Sequence, residues 1–374
     1  MRGPKRMKVE GLVAAMNVQG MDGVVAVMPE NVYYVTDPLI YTSWTLRERL
    51  ALVVFPNGGQ PTMIVCNLEE SLVRAETWIE DVRLYVEFAE SPIDVLADVL
   101  KEKDLSDKRI GIEMTYLAAA YHARLKEHLP KINLVSSETL FNELRAVKSP
   151  EEAAHLKHAA NVTEQAIYEA FAGARLGSTE KEVADQMNAR QLFLGANENG
   201  FCILGMGQNT LIGHHFAGSK QLDEGELLSV DIGSRFDGYY SDVARTAVGG
   251  KPTAKQRDTY RKLREAQRNT IAQMKAGVRA CDVYDYCLKA FEERGLTLTM
   301  PHIGHGLGIG VHEYPMIEPG NVTELRAGMM INIEPGYAEA GVGRYALEDL
   351  VLVTPDSPVI VSDYSETEEL FSIK

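Results

Sequence analysis

At 374 residues the chain is longer than one ordinary hydrophobic core supports, and long enough for two, since domains run to roughly 100–200 residues. Its 45% hydrophobic and 24% charged residues, with no low-complexity tract, describe a soluble globular protein and exclude disordered, collagen-like and coiled-coil architectures. The 53 acidic residues against 38 basic ones leave a net charge of −15, which opposes nucleic acid and anionic membranes as partners. The four cysteines, Cys66, Cys202, Cys281 and Cys287, match no zinc or redox spacing and read as reduced thiols. The first eight residues carry positive charge, but no apolar stretch follows, and no run of ~18 apolar residues occurs anywhere. The expectation is a cytoplasmic protein.

In chain order, Val32–Val35, Leu50–Phe55 and Thr62–Cys66 have the composition of strands, and Ile93–Lys103 that of an amphipathic helix. Interleaved strands and helices predict a smaller α/β domain over residues 1–146. The texture changes at Ser149-Pro150-Glu151-Glu152, where an N-cap serine, a proline at the first helical position and a capping-box glutamate signal a helix start. A larger domain is expected over 147–374. Its first long helical stretch ends near Arg175; a second, opened by Thr253 with Gln256, ends near Lys275.

These stretches begin an internal repeat. Gly177, Val183 and Gly195 recur as Gly277, Val283 and Gly295, so each copy reads helix, glycine turn, helix, glycine stop. Each is then followed by a strand of one design, Gly225–Gly233 and Gly328–Gly336. Leu228, Val230 and Ile232 in one, and Met329, Ile331 and Ile333 in the other, form an apolar face; Ser229/Asp231 and Asn332/Glu334 share the opposite face. A duplicated unit of this kind predicts a pseudo-two-fold α+β domain whose central sheet has helices on one side and a cleft on the other.

Each half carries a second carboxylate. Asp242 lies beyond an Asp237-Gly238 hairpin turn, on a strand antiparallel to that of Asp231; Glu348 lies on the run Tyr345–Val353 after a glycine-rich turn. Four carboxylates converging near a pseudo-axis repel one another and lose hydration by several kcal/mol, so a positive group must sit among them. Between the halves, His305 stands in Gly304-His305-Gly306-Leu307-Gly308 and adds a nitrogen ligand. An oxygen-rich set with one imidazole suits a pair of divalent ions. The Gly304–Gly310 run lacks the Lys-Ser/Thr ending of a phosphate loop, which speaks against nucleotide binding.

Asp231 and Asp242, Gly304-His305-Gly306-Leu307-Gly308, Ile333-Glu334-Pro335-Gly336 and Leu347-Glu348-Asp349, in that order, resemble the two-metal signature of the M24 "pita-bread" metallopeptidases. That family includes Xaa-Pro aminopeptidase, Xaa-Pro dipeptidase (prolidase), methionine aminopeptidase and creatinase. The resemblance covers the chain from about Leu144 onward, and the preceding part more loosely as a creatinase-type N-terminal domain. It implies that Asp231 binds one metal terminally, that Asp242 and Glu348 bridge both, and that His305 and Glu334 complete the other. Water activated between two cations would be the nucleophile, with Glu334 taking its proton. Mn²⁺ is the leading cofactor, with Co²⁺, Zn²⁺ and Fe²⁺ as alternatives. His214 matches one outer-shell catalytic histidine, with neighbouring His215 as the alternative facing the substrate, and His312 matches the other, which polarises the substrate carbonyl. In creatinase-type relatives the loop around Trp44, Arg47 and Arg49 enters a neighbouring subunit's site. Arg47, Arg344 and His215 are accordingly the candidates for substrate binding, and a homodimer is expected.

Three positions depart from the family's usual pattern: Ala244 stands where a threonine is common, Ala346 where an arginine is common, and Pro301 where the peptidases place a histidine, with His302 out of register. These bear on substrate choice more than on metal binding. The leading expectation is a two-metal hydrolase of amide or peptide bonds in small substrates, namely an Xaa-Pro dipeptidase or aminopeptidase. The alternatives are a non-peptidase hydrolase of a small nitrogen-containing metabolite, of the ectoine hydrolase kind, and a catalytically silent binding protein that keeps the fold.

Overall fold

The computed structural model describes residues 6–365 and 368–374, and the chain forms two compact units that divide between Leu144 and Arg145. The first is built on a six-stranded mixed sheet, in the order Asp81–Tyr85, Thr62–Cys66, Leu52–Pro56, Gly23–Ala26, Arg109–Ile112, Asn133–Ser136. Its core joins Val25, Leu52, Val54 and Ile64 of the strands to Leu96 and Leu100 of helix Pro92–Glu102. The expected helix and two of the three expected strands are present. Val32–Val35 is not a strand but lies inside helix Pro29–Thr36. Pro29 occupies the first turn, and the Glu113 carboxylate accepts from the amides of Val27 and Met28 and from the Asn31 side chain, so the helix start is capped from another element. Burial of Val32, Tyr34 and Val35 then outweighs their weak strand preference.

In the second unit both capping boxes read from the sequence are present, and a third, at Thr179, joins them. Ser149 accepts from Glu152 N and Glu152 from Ser149 N; Thr179 and Glu182, and Thr253 and Gln256, do the same. Helices Pro150–Gly173 and Glu180–Phe193 form the first pair, Ala254–Ile271 and Ala280–Glu292 the second. The repeat extends to backbone hydrogen bonds. Gly177 (φ 86°) donates to Leu222 O and Gly277 (φ 90°) to Leu325 O, so each inter-helix turn uses a left-handed glycine and docks on the same part of its own repeat.

The sheet differs from expectation in two ways. First, a strand, Glu198–Met206, intervenes between Gly195 and the strand carrying Asp231. Second, the strands form not one central sheet but two five-stranded ones. One orders Phe371–Ile373, Val243–Gly249, Leu227–Phe236 and Glu198–Met206, with Tyr239–Tyr240 paired to the third. The other orders Glu313–Met316, Gly304–Gly306, Met330–Ile333, Asp349–Leu352 and Val359–Ile360. A small hairpin, Gly336–Glu339 with Gly343–Ala346, stands apart. Glu348 N, just before the second sheet's Asp349–Leu352, donates to Ala244 O (3.1 Å) of the first, and Thr246, whose hydroxyl donates to Ala346 O and accepts from Ala346 N, ties the first sheet to the hairpin. Leu228, Val230 and Ile232 pack in one hydrophobic core, and Met329, Ile331 and Ile333 in the other.

Candidate metal centre

Alternation along Leu227–Phe236 buries Leu228, Val230 and Ile232 against the helices and turns Asp231 toward a cleft of about 560 Å³. Asp237 (φ 44°) and Gly238 (φ 84°) reverse the chain in the primed-turn geometry that suits a twisted hairpin. The returning segment is regular at Tyr239–Tyr240 and again from Val243, and Asp242 sits in the interruption. Opposite it Gly233 lies so close to Ser241 O that a Cβ would come within 2.1 Å. The Ser241 hydroxyl accepts from Ser234 N and from Thr163, which fixes the interruption from below. Glu348 occupies the matching break in the other half, between Gly343–Ala346 and Asp349–Leu352. The expected continuous strands are thus broken at both carboxylates, which frees each side chain to point inward.

His305 comes from the short strand Gly304–Gly306, where a Cβ on Gly304 would meet Asn332 O at 2.1 Å. Its Nδ1 faces Gly306 O at 3.0 Å, and a carbonyl only accepts, so Nδ1 carries the proton and Nε2 is left as a lone-pair donor. That Nε2 lies 3.6 Å from Asp242 Oδ2, 3.6 Å from Glu334 Oε1 and 4.0 Å from Glu348 Oε1. Asp242, His305 and Glu348 have ligand atoms all within 4.8 Å of one another, and all three residues are buried. Asp231 lines the same cleft.

The electrostatics ask for cations. Burial, together with neighbouring Glu334, pushes the Asp231 carboxyl up to about 7, and burial beside the other carboxylates drives Asp242 and Glu348 well above their usual range. Burial likewise takes His305 down to about 4, keeping it neutral. Asp231 Oδ1 and Glu348 Oε2 are buried with no hydrogen-bond partner. Unsatisfied carboxylate oxygens around a neutral imidazole nitrogen are a donor set that fits hard or borderline divalent ions. Burial would raise Glu334 too, but His302, His305 and His312 outweigh it and hold this carboxyl below its usual range.

His214, His215, His312, Arg344, Ala244 and Ala346 all line the cleft. The rings of His305 and His312 have centroids 4.1 Å apart. His214 adopts a left-handed backbone (φ 54°), and His215 Nε2 is engaged by Glu180 at 3.0 Å. Arg344 is the only cationic side chain of Arg or Lys type lining the cleft among the described residues. Arg47 belongs to the other unit, on an exposed stretch after helix Tyr41–Thr45.

Two polar groups of the site escaped sequence reasoning. His302, out of register by spacing, lines the cleft with Nδ1 3.4 Å from Glu334 Oε1. Asn332 donates to Glu348 Oε1 at 2.9 Å; its place on the Glu334 face was the signal that could have found it. Below the cluster, buried Arg245 donates to the carbonyls of Ala244 and Glu348 and pairs with Glu164 and Asp349, while Arg264 also reaches Asp349. The apolar wall of the cleft comes from Phe201, Ile203, Ile212 and Val311.

The family model "Metallopeptidase family M24" matches residues 154–355, and "Creatinase/Prolidase N-terminal domain" matches residues 8–147. The chain is 28% identical to an Xaa-Pro dipeptidase of Pyrococcus furiosus, over 93% of this chain and 95% of that protein. It is 31% identical to an Xaa-Pro dipeptidase of Lactobacillus helveticus, over 87% and 91%. Among solved structures, a prolidase from Thermococcus sibiricus superimposes with a TM-score of 0.88 at 27% identity, covering 100% of both chains. Fold, motifs and relatives agree that the chain belongs to metallopeptidase family M24, with the pita-bread fold behind a creatinase-type N-terminal domain, and is a hydrolase of that family.

Proposed function

We propose that the protein is an Xaa-Pro dipeptidase that works with two divalent ions, Mn²⁺ foremost, held by Asp231, Asp242, His305, Glu334 and Glu348. The observation that carries this reading is one cleft with two unlike ends. The buried cluster of Asp242, His305 and Glu348, with Asp231 and Glu334 beside it and carboxylate oxygens left without partners, lies at one end, and the lone guanidinium of Arg344 lines the other. When bound, the ions supply Lewis acidity and lower the pKa of water.

The protein's own residues do the rest. Arg344 has no carboxylate partner within ion-pair distance among the described residues, so it can take the terminal carboxylate of a short peptide. The apolar wall receives the proline ring and excludes water from the scissile bond. Glu334 is more accessible than either proposed bridging carboxylate, its side chain 18% exposed against 5% for Asp242 and 1% for Glu348. It is therefore the group able to take a proton from water and pass it to the leaving nitrogen, with His302 holding its carboxylate. His312 and His214, on the open side, donate hydrogen bonds to the carbonyl oxygen as charge develops there. We further propose that residues 147–374 are the catalytic domain, and that the protein is a cytoplasmic homodimer; no helix of the described residues is long and apolar enough to cross a membrane.

The test is a panel of dipeptides with and without proline in the second position, alongside longer Xaa-Pro peptides and cyclic amidine metabolites, run on Mn²⁺-reconstituted protein. Hydrolysis confined to Xaa-Pro dipeptides, with about two ions per chain, is the expected result. Turnover of a cyclic amidine and of no peptide would replace this reading with that of a metabolite hydrolase.

A further inference from the structure

The buried carboxylates of the second unit fall into three groups: those of the metal centre, those paired with arginines or lysines, and Glu180, which belongs to neither. Glu180 is fully buried at the first residue of helix Glu180–Phe193, and its ring of partners contains no Arg or Lys. Oε1 accepts from Met206 N (2.9 Å) and Asn209 Nδ2 (2.9 Å); Oε2 accepts from Gly218 N (3.0 Å) and faces His215 Nε2 (3.0 Å). The four groups are the last residue of strand Glu198–Met206 and three points of the loop that follows it, residues 207–218, which runs past the cleft. Around the same anchor, Glu180 N donates to Lys220 O and Lys181 N to Gly218 O, so the helix start also grips the loop's exit.

The loop needs such an anchor. His214 has φ 54°, a left-handed conformation that costs a non-glycine residue about 1 kcal/mol and persists only where the surroundings impose it. The loop has little packing of its own, since Leu211, Ile212 and Phe216 are all exposed. The Glu180 carboxylate holds the loop on both sides of this residue, through Asn209 before it and His215 and Gly218 after it. An anion suits this place because it lies in the first turn of a 14-residue helix, and it accepts on both oxygens at once, as an amide or a hydroxyl cannot.

We infer that Glu180 is the positioning residue for His214, holding the loop of residues 207–218 so that this imidazole meets the cleft, with His215 serving as a strut of the loop rather than as a substrate ligand. The inference rests on the proposed role of His214 in turnover, and two independent readouts separate them. The first is amide hydrogen exchange on the holoenzyme. Glu180→Gln keeps one acceptor oxygen and loses the other, and should raise exchange across residues 206–218 by about tenfold or more, leaving the segments around Asp242 and His305 unchanged. Unchanged exchange in the loop overturns the anchor whether or not any peptide is cleaved. The second is a double-mutant cycle. On the best substrate, Glu180→Gln should lower kcat about tenfold with little change in KM or metal content, and His215→Phe, which removes one of the four contacts, should lower it less. In a His214→Ala background the Glu180→Gln change should cost less than about twofold. Effects that multiply, or loss of metal in Glu180→Gln, would make Glu180 a structural residue with no path through His214.

Discussion

The two histidine-bearing segments at the cleft are held by opposite means. In the first half of the repeat, His214 rides on a loop tied to Glu180 by backbone amides, an asparagine and a histidine. In the second, His312 is followed directly by Glu313, whose carboxylate is clamped between the cations Arg145 and Lys148 and also accepts from Gly310 N. Both anchors are buried glutamates, but one is neutralised by dipoles and the other by full charges. A dipole-held loop can move at modest cost, whereas breaking an ion cluster leaves charges stranded in the interior. The duplicated framework thus carries one adaptable histidine and one fixed one, and only the first has exposed apolar neighbours.

Changes to the shared floor should erase this contrast altogether. Asp242→Ala and Glu348→Ala, which remove the equivalent carboxylate from either half, should each lose bound metal and about 10³-fold or more of activity, read by elemental analysis and initial rates. Next in size, Asn332→Ala, which leaves Glu348 Oε1 without its donor, should weaken metal affinity by about 10–100-fold in a chelator competition with little loss of stability. Removing the anchors sharpens the comparison. Glu313→Ala leaves Lys148 buried without its anion and should destabilise the fold by about 3–5 kcal/mol in urea unfolding. Glu180→Ala, which orphans neutral donors, should cost about 1–3 kcal/mol. Equal losses would remove the distinction between the two anchors.

The Glu313 anchor also sets a pH dependence. Arg145 and Lys148 outweigh burial and hold the Glu313 carboxyl down to about 2, against an ordinary value of 4.5. A folded-state value below the unfolded one means the unfolded chain binds the proton more readily. Glu313 therefore contributes stability that is complete above about pH 4.5 and lost as pH falls toward about 2, some ~3 kcal/mol in all. Between those limits the acid-unfolding slope of Glu313→Gln should be shallower by about one proton.

Much of the second unit was legible because its signals are local. The capping boxes at Ser149 and Thr253 lie within four residues, the alternation around Asp231 and Glu334 within one strand, and the glycine turns repeat at matched offsets. What could not be read depends on distant partners. Helix Pro29–Thr36 is capped by a carboxylate from Glu113, beyond the reach of any sequence window, so Val32–Val35 kept its strand-like appearance. The breaks in the expected strands at Asp242 and Glu348 go with contacts of Ser241 and the carbonyl bonds of Arg245, neither of which leaves a pattern in composition. His302 lies beside Glu334 through the path of an irregular segment, not through a periodicity. The engagement of His215 by Glu180 spans 35 residues.

Arg245 carries one more consequence. A single guanidinium holds the carbonyl of Ala244 from one half and that of Glu348 from the other, and shares Asp349 with Arg264. Neither half can open without stranding this buried charge, so the repeat has lost the independence its ancestry as two copies suggests. Calorimetry should find a single cooperative transition for the two halves, and a chain cut between them should recover no ordered fragment until both pieces are mixed.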